Sequence, residues 1–67
     1  MNMNFSKLIG AHVKIVCIFG EIKSPIYYEG DILEYDEGGK VVTIKDRFGK
    51  TVFLDTESIR QVVVIKE

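Results

Sequence analysis

One cysteine, one histidine and one proline among 67 residues leave this chain few of the devices that usually stabilise a small fold. The lone Cys17 excludes an internal disulfide. One Cys and one His cannot complete a closed four-ligand zinc site without carboxylates or a second chain. There is no Gly-rich phosphate loop, no cluster with metal-ligand spacing and no nucleophile triad. The expectation is therefore a protein that is not an enzyme and holds no metal or cofactor. Nine basic residues are balanced by ten acidic ones, for a net charge of −1, and the basic ones are scattered. A surface that tracks phosphates without regard to sequence is not indicated. The longest apolar run, Ile15 to Phe19, is far too short to cross a bilayer, and the first residues carry no apolar stretch of signal-peptide length. A cytoplasmic, reduced setting with no membrane partner is the corresponding expectation.

A chain this short makes one domain, covering residues 1–67, with a marginal core. Without a disulfide or a metal, self-association is the natural source of extra burial.

What the sequence does contain is strand patterning. Residues 1 to 4 are expected to fray. Phe5 to Ile9 suits a short helix, with Asn4 or Ser6 as cap, Gly10 as stop, and Phe5, Leu8 and Ile9 as its apolar face. From His12 to Phe19, Val13, Ile15, Cys17 and Phe19 alternate with the opposite face, which predicts a first strand with Cys17 in the core. Pro25 closes a loop from Gly20, since proline does not fit a central strand. Ile26 to Tyr35 predicts a long second strand with Gly30 near its middle, where a glycine permits a sharp bend. Asp36 to Lys40 reads as a hairpin turn in which Gly38 and Gly39 supply positive φ angles. Val41 to Lys45 and Thr51 to Leu54 read as strands joined by the turn Asp46 to Lys50. Asp55 to Ser58 is a capped single turn, and Ile59 to Ile65 is the last strand. Its run Val62-Val63-Val64-Ile65 is apolar on both faces and must be paired and covered. Five short strands, a leading helix and a bent second strand predict an all-β, five-stranded, strongly bent small barrel.

Three stretches resemble the Sm and Sm-like (LSm, Hfq-like) small-barrel family, and the resemblance spans roughly residues 5 to 65. Lys7-Leu-Ile-Gly-Ala-His-Val-Lys-Ile15 is similar to the family's entry from helix into first strand. Gly30, with Asp36 six residues on, is similar to its first motif. Gly49-Lys-Thr-Val-Phe-Leu54, followed by Ile59, is similar to its second. The resemblance implies a homo-oligomeric ring and single-stranded RNA as a partner. The chain departs from the pattern at the base pocket. Lys40 stands where the family usually has a base-recognising Asn. Asp55-Thr56 stands where it has Arg-Gly, and Val52-Phe-Leu-Asp55 replaces the Hfq-type Tyr-Lys-His. The loop from Glu21 to Pro25 is also longer. What carries over by resemblance is the fold and the ring, not the uridine pocket.

The candidate RNA-contacting residues are Tyr28, Asp36, Lys40, Arg47 and Phe48. Tyr27 and Tyr35, eight apart, are expected on one face and Tyr28 on the other. These tyrosines can stack bases or simply pack. Arg47-Phe48 at a turn tip can hold a nucleotide, or its Phe can tuck onto the end of the barrel. Asp31, Glu34, Asp36 and Glu37 form a solvated acidic cluster, with Asp36 fixing the turn. His12 reads as a solvent-facing strand-end residue with no carboxylate at an implicating spacing. The candidate subunit interface is Val52, Phe53, Leu54, Val62, Val63 and Val64. Two functions stand side by side: an RNA-binding ring without the usual base pocket, and a structural or protein-interaction module that does not bind RNA.

Overall fold

The computed structural model describes residues 4–67, so the fraying expected at residues 1–3 lies outside it. Asn4 is ordered as a cap. Its side chain accepts the Ser6 N–H and also holds the Ser6 hydroxyl. The short helix expected from Phe5 to Ile9 is a single 3-10 turn over Phe5–Leu8. Phe5 is buried and Leu8 packs on the core, but Ile9 is exposed, so the apolar face is narrower than expected. Gly10 adopts φ +92°, a left-handed stop that turns the chain into the first strand.

Five strands follow: β1 (His12–Cys17), β2 (Ile26–Asp36), β3 (Val41–Asp46), β4 (Thr51–Asp55) and β5 (Ile59–Lys66), with a second 3-10 turn over Thr56–Ser58. All neighbours pair antiparallel in one sheet of order β4-β3-β2-β1-β5. The strand bounds agree with the sequence expectation to within one or two residues.

The core is built by alternation. On β1, Val13, Ile15 and Cys17 are fully buried, as period-2 patterning requires. They meet Ile32, Val42, Ile44, Leu54 and Ile59 in one cluster, with Phe5 and Ala11 packed in. Every strand contributes, and among the described residues no second layer covers the sheet. The sheet must therefore curl around its own core. It does not close: β4 and β5 are both unpaired on their outer sides, so the barrel expected from the sequence is here an open, five-stranded sheet.

Gly30 is needed where β2 crosses β3. A Cβ on it would sit 2.3 Å from the Lys45 carbonyl oxygen. Further along β2 the pairing with β3 slips between Ile32 and Glu34, leaving Leu33 as the extra residue of a β-bulge. The slip changes which face Tyr35 takes. Tyr35 packs on the core against Phe5, with ring centroids 5.6 Å apart, and Tyr28 also packs on the core, whereas Tyr27 is exposed. The expectation that Tyr27 and Tyr35 share a face is thus corrected by the bulge.

The β2–β3 turn also differs from expectation. Neither Gly38 nor Gly39 is left-handed; Lys40 takes φ +56° instead. The Gly39 N–H donates to Asp36 Oδ1 at 3.1 Å, and a Cβ on Gly39 would sit 2.8 Å from Asp36 Oδ2. Glycine is there to admit the carboxylate that fixes the turn.

Candidate functional site

The two ends of the sheet differ in character. At one end the β2–β3 turn meets the second 3-10 turn. The Thr56 N–H donates to the Lys40 carbonyl at 2.9 Å, and Lys40 Nζ lies 3.6 Å from Glu57 Oε1. Asp55 Oδ1 accepts the Glu57 N–H at 3.0 Å, which is the expected cap. Asp36, Glu37, Asp55 and Glu57 gather here around Lys40. Phosphate would meet mostly carboxylates. Two of the sequence candidates, Asp36 and Lys40, are therefore committed to turn geometry and an ion pair.

At the other end the turn Asp46 to Lys50 folds over the start of β2. Asp46 Oδ1 accepts the N–H groups of Phe48 (2.9 Å) and Lys50 (2.8 Å). The Asp46 N–H donates to the Lys50 carbonyl at 2.8 Å, and Gly49 completes the turn at φ +81°. This lock holds Arg47 and Phe48 at the tip. Phe48 is 82% exposed rather than tucked against the sheet, and the Arg47 guanidinium carbon lies 5.1 Å from the centre of its ring. Tyr27, Tyr28 and Glu29 from β2, and Lys14 from β1, complete a groove of about 280 Å³ with Asp46, Arg47 and Phe48. That is near the lower limit of roughly 300 Å³ for small-molecule sites, enough for one planar ring. Tyr28 is steadied from behind by Phe19, edge-on at 6.4 Å between centroids.

The structure thus joins Tyr28, Arg47 and Phe48, and leaves Asp36 and Lys40 at the far end of the long strand. It adds Tyr27, Lys14 and Glu29. The paired tyrosines were visible in the sequence. Lys14 and Glu29 were not, because they become neighbours only through the β1–β2 register, Lys14 opposite Glu29.

The same register corrects the reading of His12. Asp31 lies directly opposite it and Glu29 lies diagonally. His12 Nδ1 is 2.9 Å from Asp31 Oδ1, and His12 Nε2 is 2.9 Å from Glu29 Oε2. Both acceptors are carboxylates, so both ring nitrogens carry protons only in the imidazolium. Hydrogen bonding to Glu29, then to Asp31, raises the His12 pKa above the ordinary imidazole range. The bond to His12 lowers that of Glu29. Cys17 is buried as expected, and burial pushes its thiol pKa up. Among the described residues, no group of His, Cys, Asp and Glu side chains is arranged to hold a metal ion. No helix there is long and apolar enough to cross a membrane.

The interface candidates divide. The Leu54 side chain is 1% exposed and belongs to its own core, so only its backbone can meet a partner. Val52 and Val62 are half-buried against that core. Phe53, 69% exposed, stands out from β4, while Val63, Val64 and the further Ile65 are exposed on β5. The expectation that the β5 run is covered is not met within one chain.

The sequence matches no protein-family model and no curated protein.

Proposed function

We propose that this chain is an Sm-like RNA-binding module that works as a homo-oligomeric ring and contacts single-stranded RNA through the Tyr27–Phe48 groove rather than through the family's usual base pocket. The observation that carries the reading is the groove itself. The exposed ring of Phe48 and the guanidinium of Arg47, on a turn that Asp46 holds, stand beside the exposed ring of Tyr27 on β2 and the ammonium of Lys14 on β1. Aromatic faces stack bases regardless of sequence, and cations beside them meet the backbone phosphates. The opposite end, acidic and without the family's Asn and Arg-Gly, offers little to RNA.

Assembly follows from the edges. β4 and β5 are the outer strands of one sheet, each with exposed apolar side chains. Pairing β4 of one subunit with β5 of the next removes both edges and, repeated, closes a ring. Within that ring the curled sheet acts as a small barrel whose open seam is filled by the neighbour.

The test is binding of a fluorescent single-stranded RNA, followed by anisotropy, for the native chain and for Tyr27→Ala and Arg47→Ala. Stacking of one base is worth about 1–3 kcal/mol, so Tyr27→Ala should weaken binding at least several-fold, and Arg47→Ala should weaken it and flatten its salt dependence. Unchanged affinity in both variants would remove the groove from the account. The acidic end favours the second reading, a protein-interaction module, and a ring that ignores RNA would select it.

A further inference from the structure

Glu29 is out of place in a groove meant only for phosphate. Arg47 and Lys14 supply the groove's cations, and Oδ1 of Asp46 is taken by two N–H groups of its own turn. Glu29 stands on the groove wall as a carboxylate with no turn to hold. Its Oε2 is held by His12 Nε2, whose other nitrogen is held by Asp31. A carboxylate oxygen has two lone pairs, so Oε2 can keep His12 and still accept a second donor, while Oε1 is left for a ligand.

We infer that the groove reads a guanine base, with Glu29 as the specificity-determining acceptor and His12 as the residue that positions it. The inference rests on the RNA-binding reading of the same groove. A carboxylate accepts and cannot donate. Guanine alone presents two adjacent donors, N1–H and the N2 amino group, on its Watson–Crick edge, matching the two carboxylate oxygens. Adenine and cytosine each set a ring-nitrogen acceptor beside their amino group. Uracil flanks its single N3–H with two carbonyl oxygens. In single strands this edge is free to be read while the base stacks, here on Tyr27 or Phe48. His12 keeps Glu29 from swinging to the cations of the groove. The charged groups facing the His12 cluster are Lys14 on β1, Lys66 opposite His12 on β5, Lys45 opposite Asp31 on β3, and Arg47. Loss of the imidazolium proton leaves His12 one N–H for two carboxylates, so Glu29 is held less firmly against the pull of Lys14 and Arg47.

The experiment measures anisotropy of labelled oligouridine strands carrying one central G, A, C or inosine, with the native chain, Glu29→Gln and His12→Ala. A bidentate base contact discriminates by on the order of tenfold. The G strand should bind about that much more tightly than the A, C and all-U strands, and inosine, which lacks the N2 amino group, should lose most of the gain. Glu29→Gln, nearly isosteric, should bind all strands alike. In the native chain the preference should fade as pH rises and His12 loses its proton; in His12→Ala it should not vary with pH. Equal binding of all strands by the native chain, or a G preference that survives Glu29→Gln, overturns the guanine inference and leaves the RNA reading standing. No binding of any strand overturns both.

Discussion

At Gly30 a neighbouring backbone, not a torsion angle, demands glycine. The Lys45 carbonyl oxygen and carbon would lie 2.3 and 2.8 Å from a Cβ there, and backbone in mid-sheet cannot step aside cheaply. Overpacking a core costs about 1–3 kcal/mol, so Gly30→Ala is expected to lower stability by at least the upper part of that range, read as a fall in the urea midpoint. An unchanged midpoint would show that β2 and β3 separate more easily than the packing implies. Sequence reasoning located this glycine correctly because a glycine within a strand-like run is conspicuous. The left-handed residue of the next turn is Lys40, not Gly38 and Gly39 as the glycine pair suggests; Gly39 admits the Asp36 carboxylate rather than supplying a positive φ. His12 looks isolated in the sequence for a related reason: its partners, Glu29 and Asp31, are 17 and 19 residues away. Its consequence for stability has a definite sign. The raised His12 pKa gives a contribution fully present below the ordinary value of 6.5 and lost as pH rises through the raised one. The lowered Glu29 pKa gives one present above the ordinary 4.5 and lost as pH falls through the lowered one. Urea midpoints of the native chain relative to His12→Ala should therefore differ most between those two ordinary values, and the difference should shrink on either side. A difference that does not vary with pH would contradict the doubly bonded imidazolium.

Among the elements, the turn from Asp46 to Lys50 matters most for the groove. It has few core contacts, and its shape depends on Asp46 accepting two N–H groups. Asp46→Ala should cost about 2 kcal/mol, roughly 1 for each of the two bonds, and should also reduce RNA affinity several-fold by releasing Arg47 and Phe48. Thermal unfolding and anisotropy on the same variant check both parts; a loss of stability with intact affinity would mean that the turn need not be rigid. The strands themselves were legible, since alternation at Val13, Ile15 and Cys17 needs no knowledge of partners. The bulge at Leu33 was not. It arises from how β2 must shift against β3, and it alone decides that Tyr35 faces the core beside Phe5 rather than solvent beside Tyr27.

For the whole molecule, a single curled sheet of this size buries its core only on the inner face, and its two edge strands remain apolar and unpaired. The sequence forecast the need for cover in the valine-rich β5 but could not show that the chain itself leaves it uncovered. A charge placed on that edge, as in Val64→Lys, should oppose subunit pairing with little effect on the buried core, and should reduce the mass in solution toward that of one chain.

The most direct test of the account is mass by light scattering, for the chain alone and with a short single-stranded RNA containing all four bases. An RNA-binding ring gives a defined multiple of 7.6 kDa that gains the mass of bound RNA. A monomer with no gain in mass on adding RNA would contradict it.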